Sequence, residues 1–504
     1  MAAWTIIAKS SHFTQQAMSD LAKPLYRVAQ IRQAEQFAIE NLQIPSLQLM
    51  QSAGLAAFKV LQQRWPHQKQ ISMFCGAGNN AGDGYVLASL AIKSGYSVEV
   101  FAIGAIARLK GDALLCAEAF VENGGVVKAW TADSLVMAGV VVDGLLGTGL
   151  NRRVDADYAA VINAINTAEL PVLAIDVPSG LQADTGYVLG TAIKADVTVT
   201  FVGLKAGLFT GQAADYCGEI VAADLDLPVS IFEQLPIAAH LLAKPKLAKR
   251  QRCAHKGDFG HLLLMGGNHG YSGAIRLAAE AALRSGAGLV SIATRQSHSG
   301  LLNIGRPELM CHGVEDLSQL QPLLEKANVI VIGPGLGQDQ WARMLFEAVL
   351  ASDKPCVVDA DGLNLLAQQA SRKDNWILTP HPGEAGRLLG CANSAIARDR
   401  FTAVSELQNR FGGVCVLKGA GSLISDGQQV FVSTTGNPGM ASGGMGDVLS
   451  GITGALLGQG FSLIEAAKIA VYVHGQAADK AVLADGERGL LASDLLPYVR
   501  GCLN

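Results

Sequence analysis

Charge is scarce in this 504-residue chain: 16% of its residues are Asp, Glu, Lys or Arg, and the formal net charge is −4. No block of Lys and Arg forms a nucleic-acid face, so nucleic acid is not an expected partner. Disorder is excluded as well, because half the residues are apolar and can bury large cores. The nine cysteines contain no CxxC pair and are odd in number. Several lie in apolar strand-like runs (Cys356, Cys415), so they read as buried small hydrophobes in a reducing, cytoplasmic setting. Residues 1–20 lack a basic start followed by a long apolar block, and Met18 is itself a candidate start. The uncharged run Val448–Ile464 is interrupted by Gly, Gln and Ser and bracketed by Asp447 and Glu465. It reads as a core helix plus a loop, and no membrane span or membrane partner is expected.

Glycine is abundant, with 57 residues, many placed after apolar runs as strand-to-helix turns require. Strand-like and helix-like patterns alternate along the chain, which predicts parallel sheets covered on both faces. One series runs from Ile71–Cys75 to Glu219–Ala223, behind two helices over Ala29–Gln63 that break near Ile44-Pro45. A second runs from His261–Met265 through Val414–Leu417, then an antiparallel ribbon (Ser422–Ile424, Gln429–Ser433), and closes with a helix, Leu463–Val482. Prolines and a Lys/Arg cluster interrupt the pattern between them. The expectation is two doubly wound α/β domains, 1–228 and 256–504, joined by a linker over 229–255.

Groups with chemistry gather at strand ends. Gly76-Ala-Gly-Asn-Asn-Ala-Gly-Asp-Gly84 follows a strand and opens a helix predicted from about Gly82, the place where such sheets bind phosphates. Its GxGxxxG spacing is not the dinucleotide fingerprint, no acid ends the next strand, and no GK[ST] is present. Asp143 precedes a glycine loop, and Asp176-Val-Pro-Ser179 ends the following strand. Converging, Asn80, Asp143 and Ser179 would offer oxygen ligands to a group I or II cation, with Asp176 as acid or base. Taken singly, each Asp or Ser equally reads as a helix cap.

In the second half, Gly335, Asp359, Asp361, His381, Glu384 and Lys418 occupy similar positions. Asp359 and Asp361 also read as caps of a helix after Gly362, and His381 as a loop histidine. Asn437-Pro-Gly-Met-Ala-Ser-Gly-Gly-Met-Gly-Asp447 is the most informative stretch. Its glycine amides and the following helix start suit an anion, with Asp447 beside them as a general base. Alone, it equally reads as a turn before a buried helix.

The first half resembles the NAD(P)H-hydrate epimerase family, the YjeF N-terminal domain. The likeness rests on Leu49-Met50 with Ala53-Gly54, Gly78–Gly84, Asp143 with Gly147-Thr148-Gly149, Asp176–Gly180, Ala195–Phe201 and Lys205. It covers about 25–228, with Gln51 standing where many relatives carry Glu. The resemblance implies a Rossmann-like fold. It also implies hydrated-dinucleotide contacts from Asn79, Asn80, Ala81, Gly82, Asp83, Gly147, Thr148, Gly149, Leu150, Asn151, Arg152 and Arg153. Asn80, Asp143 and Ser179 would hold K+, and Asp176 would act at the reacting carbon.

The second half, over about 250–500, resembles the ADP- or ATP-dependent NAD(P)H-hydrate dehydratases, which have a ribokinase-like fold. The likeness rests on Thr379–Glu384, Val416–Ser422 and Gly436–Gly451. It implies hydrate contacts from Ala274, Gly335, His381 and Asp447, and nucleotide contacts from Lys418, Gly419, Ala420, Gly421, Ser422 and Gly446. Met265–Gly267 and Asp361 with Asn364 take supporting roles, and Mg2+ accompanies ADP or ATP. The expected protein is a bifunctional repair enzyme, an isomerase and lyase, assembled as a homo-oligomer. The alternatives are a ribokinase-like small-molecule kinase, and a first half that only binds.

Overall fold

The computed structural model describes residues 5–6, 22–131 and 137–504; Met18 lies outside the described residues. The chain divides into two compact units, Pro24–Ala239 and His240–Asn504.

In the first unit the parallel strand order is Glu219–Ala223, Val197–Phe201, Val172–Ile175, Val140–Gly144, Gln70–Cys75, Ser97–Ala102, Val127–Ala129. Numbered along the chain, this is 7-6-5-4-1-2-3, the Rossmann order, with its reversal between Gln70–Cys75 and Val140–Gly144. Alternate side chains enter two different cores. Ile71, Met73, Cys75, Val140 and Val142 face the helices at 28–41, 46–64, 79–93 and 111–122, while Phe74, Phe101 and Val141 face helix Ala156–Thr167. That burial on both faces is why these strands read as continuous apolar runs rather than alternating ones.

In the second unit Met310–Gly313, Leu289–Thr294, His261–Met265, Val329–Ile332, Cys356–Val358, Trp376–Leu378 and Val414–Leu417 lie parallel in that order. Ser422–Ser425 and Val430–Ser433 extend the sheet antiparallel, as expected. The run after Asp447 is helix Met445–Gly458, buried along most of its length among helices Ser272–Arg284 and Leu463–Asp485. No described helix is long and apolar enough to cross a membrane.

Several expectations are corrected. Val127–Ala129, Trp376–Leu378 and Met310–Gly313 are additional strands of three or four residues, too short to show a period. Helix Leu463–Asp485 does not close the chain; Ala492–Leu495 and Leu496–Cys502 follow it. The stretch 229–255 contains a helix, Val229–Glu233, and a strand, Ala239–Leu241. All nine thiols are free, but Cys253 and Cys391 are exposed and Cys311 and Cys502 only part-buried, so the buried reading holds for the other five.

Candidate active sites

The first site lies at the strand-order reversal, where loops leaving neighbouring strands diverge and open a crevice. The sequence placed the start of the helix at Gly82. It begins instead at Asn79, behind an extended Gly78 that provides no side-chain cap. Asn79, Asn80, Ala81, Gly82 and Asp83 therefore form its first turn rather than a free loop, with the Ala81 amide already donating to Gly78 O at 3.1 Å. Gly76 holds this turn against the next loop: its N–H donates to Gly144 O at 3.1 Å, and a Cβ there would fall 1.9 Å from Leu145 O.

Asn80, Asp143 and Ser179 converge, all buried. Asp143 accepts from Ser179 Oγ at 2.6 Å, Ser179 N at 2.8 Å and Leu145 N at 3.1 Å. Burial pushes its carboxyl up to about 6, against those hydrogen bonds. Asn80 Nδ2 donates to Leu146 O at 3.2 Å, while its Oδ1 is buried with no partner among the described residues. A buried carbonyl oxygen with no donor beside a carboxylate is the arrangement a desolvated cation satisfies.

Asp176 lies at the end of the adjacent strand. Its Oδ1 accepts from Lys205 Nζ at 2.5 Å, Thr200 Oγ1 at 3.3 Å and Phe201 N at 3.4 Å. Glu35 and Asp83 stand in the same electrostatic neighbourhood, and burial pushes both carboxyls up, Asp83 most. In the loop beyond Asp143, Gly147 packs on Asn80 and Gly149 lies near Arg32. Thr148 and Leu150 are half-buried, and Asn151 is exposed. Arg152 turns outward to Asp155 at 3.4 Å, and Arg153 lies against Gly190. Gln51 is exposed. Glu35 was missed, although it interrupts the stripe Ile31, Ala34, Ala38 on its helix, where an acid is a visible anomaly.

The second site forms at the same end of its own sheet. Asp359 occupies a helix cap position, yet its carboxylate does not cap. It binds Lys418 Nζ at 2.7 Å and Ser450 Oγ at 2.8 Å. Burial raises its carboxyl, but Lys418 and the hydrogen bonds outweigh that and hold it below the usual range. The helix behind it starts at Ala360, so Asp361 lies inside it and instead accepts from Gly337 N at 2.9 Å and Asn364 Nδ2 at 3.0 Å, bracing the loop that carries Gly335. Gly335 packs against Ala274 and Tyr271.

His381 caps helix Pro382–Leu389: its Nδ1 accepts from Gly383 N at 2.9 Å. Burial lowers its pKa, with Lys418 and Arg387 acting the same way. The ring is half-exposed and aligned by this cap. Glu384 lies 3.8 Å from Lys418, and burial lifts its carboxyl to about 7.

Helix Met445–Gly458 begins at Gly444, held left-handed at φ 91°, with no side-chain cap. Its first backbone bond is Val448 N to Gly444 O at 3.1 Å. Among the described residues the amides of Gly443 to Asp447 have no acceptor, which leaves a cluster of donors at the positive end of a helix dipole. Asp447 sits in that turn, its carboxyl pushed to about 7 by burial and by Asp359, against Lys418. The Lys418–Ser422 loop is held from beneath by buried Arg400, whose Nη2 donates to Leu417 O at 3.2 Å and Lys418 O at 3.3 Å. Arg400 carried no sequence signal, since a lone Arg in a helix reads as solvated.

A Cβ on Gly446 would lie 3.2 Å from Lys418 Nζ and 3.3 Å from Asp359 Oδ2. Gly446→Ala is thus expected to crowd the ion pair and raise the KM for adenine nucleotide about tenfold, roughly 1.4 kcal/mol, while the first unit's activity stays unchanged. Steady-state kinetics of both activities check this.

Two parallel α/β sheets, each presenting carboxylates and an uncapped helix start at its strand ends, define a two-site α/β enzyme. A family model described as NAD(P)H-hydrate dehydratase matches residues 262–500, and one described as YjeF-related protein N-terminus matches 46–207. A bifunctional NAD(P)H-hydrate repair enzyme from Coxiella burnetii is 50% identical over 485 residues, 95% of this chain and 99% of that one. One from Escherichia coli is 42% identical over 478 residues, 94% and 93% of the two chains. A solved ADP/ATP-dependent NAD(P)H-hydrate dehydratase from Bacillus subtilis, co-crystallised with ATP and Mg2+, is 29% identical, covering 51% of this chain and 93% of that one at a TM-score of 0.46. The chain belongs to the family of bifunctional NAD(P)H-hydrate repair enzymes.

Proposed function

We propose that the first domain (1–228) interconverts the R and S hydrates of NADH and NADPH, and that the second (256–504), joined through 229–255, dehydrates the S hydrate using ADP or ATP. The observation that carries the second activity is Asp447 beside the open Gly443–Gly446 amides. Hydroxide leaves poorly, so the C6 hydroxyl is first phosphorylated. Asp447 takes the hydroxyl proton and the amides hold the transferring phosphoryl charge. Phosphate then departs as the ring nitrogen pushes electrons toward C6. Lys418–Ser422 and Gly446 contact the nucleotide; Ala274, Gly335 and His381 contact the hydrate. Among the described residues no group of three or more His, Cys, Asp or Glu forms a metal cluster, so Mg2+ would arrive on the nucleotide phosphates.

A reaction yielding free phosphate and restored absorbance of the reduced nicotinamide supports this reading; a stable phosphorylated product would mark a kinase instead. The base form of Asp447 is the ionised one. With its carboxyl at about 7, the dehydratase rate is expected to fall as pH drops below about 7 and to level off above it. A pH–rate profile flat from 6 to 8 would contradict the assignment.

In the first domain Asp176 moves the proton while the C6–O bond opens and recloses on the other face. Residues 79–83 and 147–153 contact the hydrate. Asn80, Asp143 and Ser179 hold K+, which orders these loops; the orphaned Asn80 Oδ1 supports that fit. Asn80→Ala is expected to raise the K+ concentration for half-maximal epimerase rate about tenfold or more and to leave dehydration untouched. An unchanged K+ titration would remove the cation from this site.

A further inference from the structure

The ends of two neighbouring strands carry the same unusual backbone. Val177 N donates to Ile175 O at 2.8 Å around Asp176, whose φ is 66°. Gly203 N donates to Phe201 O at 2.7 Å around Val202, whose φ is 65°. Each is a three-residue turn in the left-handed region, a strained form for a residue with a Cβ. The first of these turns carries Asp176 itself. Such strain persists only where the surroundings enforce it.

What surrounds Asp176 is one-sided. Its Oδ1 accepts three hydrogen bonds, from Lys205, Thr200 and Phe201 N. Among the described residues Oδ2 accepts none. Lys205 is 1% exposed, and its Nζ is also anchored on Phe201 O at 2.7 Å. Its backbone is clamped by Tyr26, through Tyr26 N to Leu204 O at 2.8 Å and Ala206 N to Tyr26 O at 2.9 Å. A fully buried lysine is costly unless it is paired.

We propose that Lys205 is a positioning residue of the epimerase site: its buried ammonium pins one oxygen of Asp176 so that the other is presented to the reacting carbon. The proposal rests on the assignment of Asp176 made above. The other charged groups near the pair are Glu35 and Arg32 from helix Val28–Asn41 and Asp83 from helix Asn79–Lys93. Burial pushes both acids up, and the cation bonded to Asp176 is Lys205.

The test is Lys205→Met in the full chain, with epimerase and dehydratase measured separately. Misplacing a reacting group by about 1 Å can cost on the order of 100-fold, so epimerase kcat is expected to fall about 30- to 100-fold with KM within twofold of the parent. Dehydratase constants should not change. In Lys205→Ala, added ethylamine should restore epimerase kcat in a saturable way, which a merely structural role would not permit. A kcat within threefold of the parent, or a loss confined to KM, would overturn the proposal. Thr200→Val deletes only the 3.3 Å bond to the same oxygen and covers the case in which the Lys205 variants fail to fold. It should lower kcat about threefold at constant KM, and an unchanged kcat there would equally overturn it. Asp176→Ala with full epimerase activity would instead remove the parent assignment, so the two failures are distinguishable.

Discussion

Asp447→Ala is expected to lower dehydratase turnover by about 10²–10⁴-fold, the range typical for removing a general base, while epimerisation proceeds at the parent rate. The reasoning starts from placement. Asp447 lies in the first turn of a helix whose leading amides have no acceptor among the described residues. A phosphoryl group drawn to those amides would sit beside the carboxylate. The environment also suits the chemistry, since a carboxyl at about 7 is a far better base near neutrality than an ordinary aspartate. Its pKa is raised by burial first and by Asp359 second, so the folded state already opposes its ionisation. Removing it should therefore leave the thermal midpoint unchanged or slightly higher, the pattern of a residue kept for function at the expense of stability. A midpoint that dropped with activity would point to a structural role. Asp447→Asn, which keeps the shape, should be as inactive as the alanine.

Asp176→Ala carries the second large effect. Epimerase turnover should fall by a similar factor of about 10²–10⁴, so that a mixture of hydrate epimers incubated with the full chain and nucleotide recovers only to about half. Here stability should suffer as well, because Lys205 is buried and would lose its carboxylate partner. Breaking a buried pair from one side costs about 3–5 kcal/mol. Asp176→Asn preserves a hydrogen-bond acceptor for the ammonium and should lose the activity while retaining more of the stability. Comparing the two by denaturant unfolding of the first unit separates the catalytic loss from the structural one. An alanine variant that still drives complete recovery would take Asp176 out of the reaction.

The architecture was largely readable from sequence because most strands of both sheets are covered on two faces. That burial writes them as apolar runs with glycine at their ends, and those ends are where the chemistry sits. Val127–Ala129 and Met310–Gly313 escaped because they are short edge strands. Trp376–Leu378 is a three-residue strand between Asp374-Asn375 and Thr379-Pro380, a turn-like context that hides it. Single residues at strand ends and helix starts (Asn80, Asp143, Ser179, Asp176, Asp447) were legible as candidates, since a polar group beside an apolar run or a glycine-rich turn stands out. What the sequence did not carry was pairing. Nothing along the chain joins Asp359 to Lys418, 59 positions apart, or Lys205 to Asp176, and Asp359 read as a helix cap until its carboxylate was seen turned inward. Arg400 was invisible because a lone Arg in a helix looks ordinary, and Glu35, though anomalous in its helix's apolar stripe, pointed to no partner along the chain. Only the fold shows that one braces a loop and the other faces a crevice.

The most direct measurement follows the ultraviolet absorbance of reduced nicotinamide in a mixture of R and S NADH hydrates, incubated with the full chain, Mg2+, K+ and either ADP or ATP. Two cooperating sites predict complete recovery with stoichiometric release of phosphate. Recovery that halts near half would contradict a working first site, and no recovery with either nucleotide would contradict the role given to Asp447 and its glycine amides.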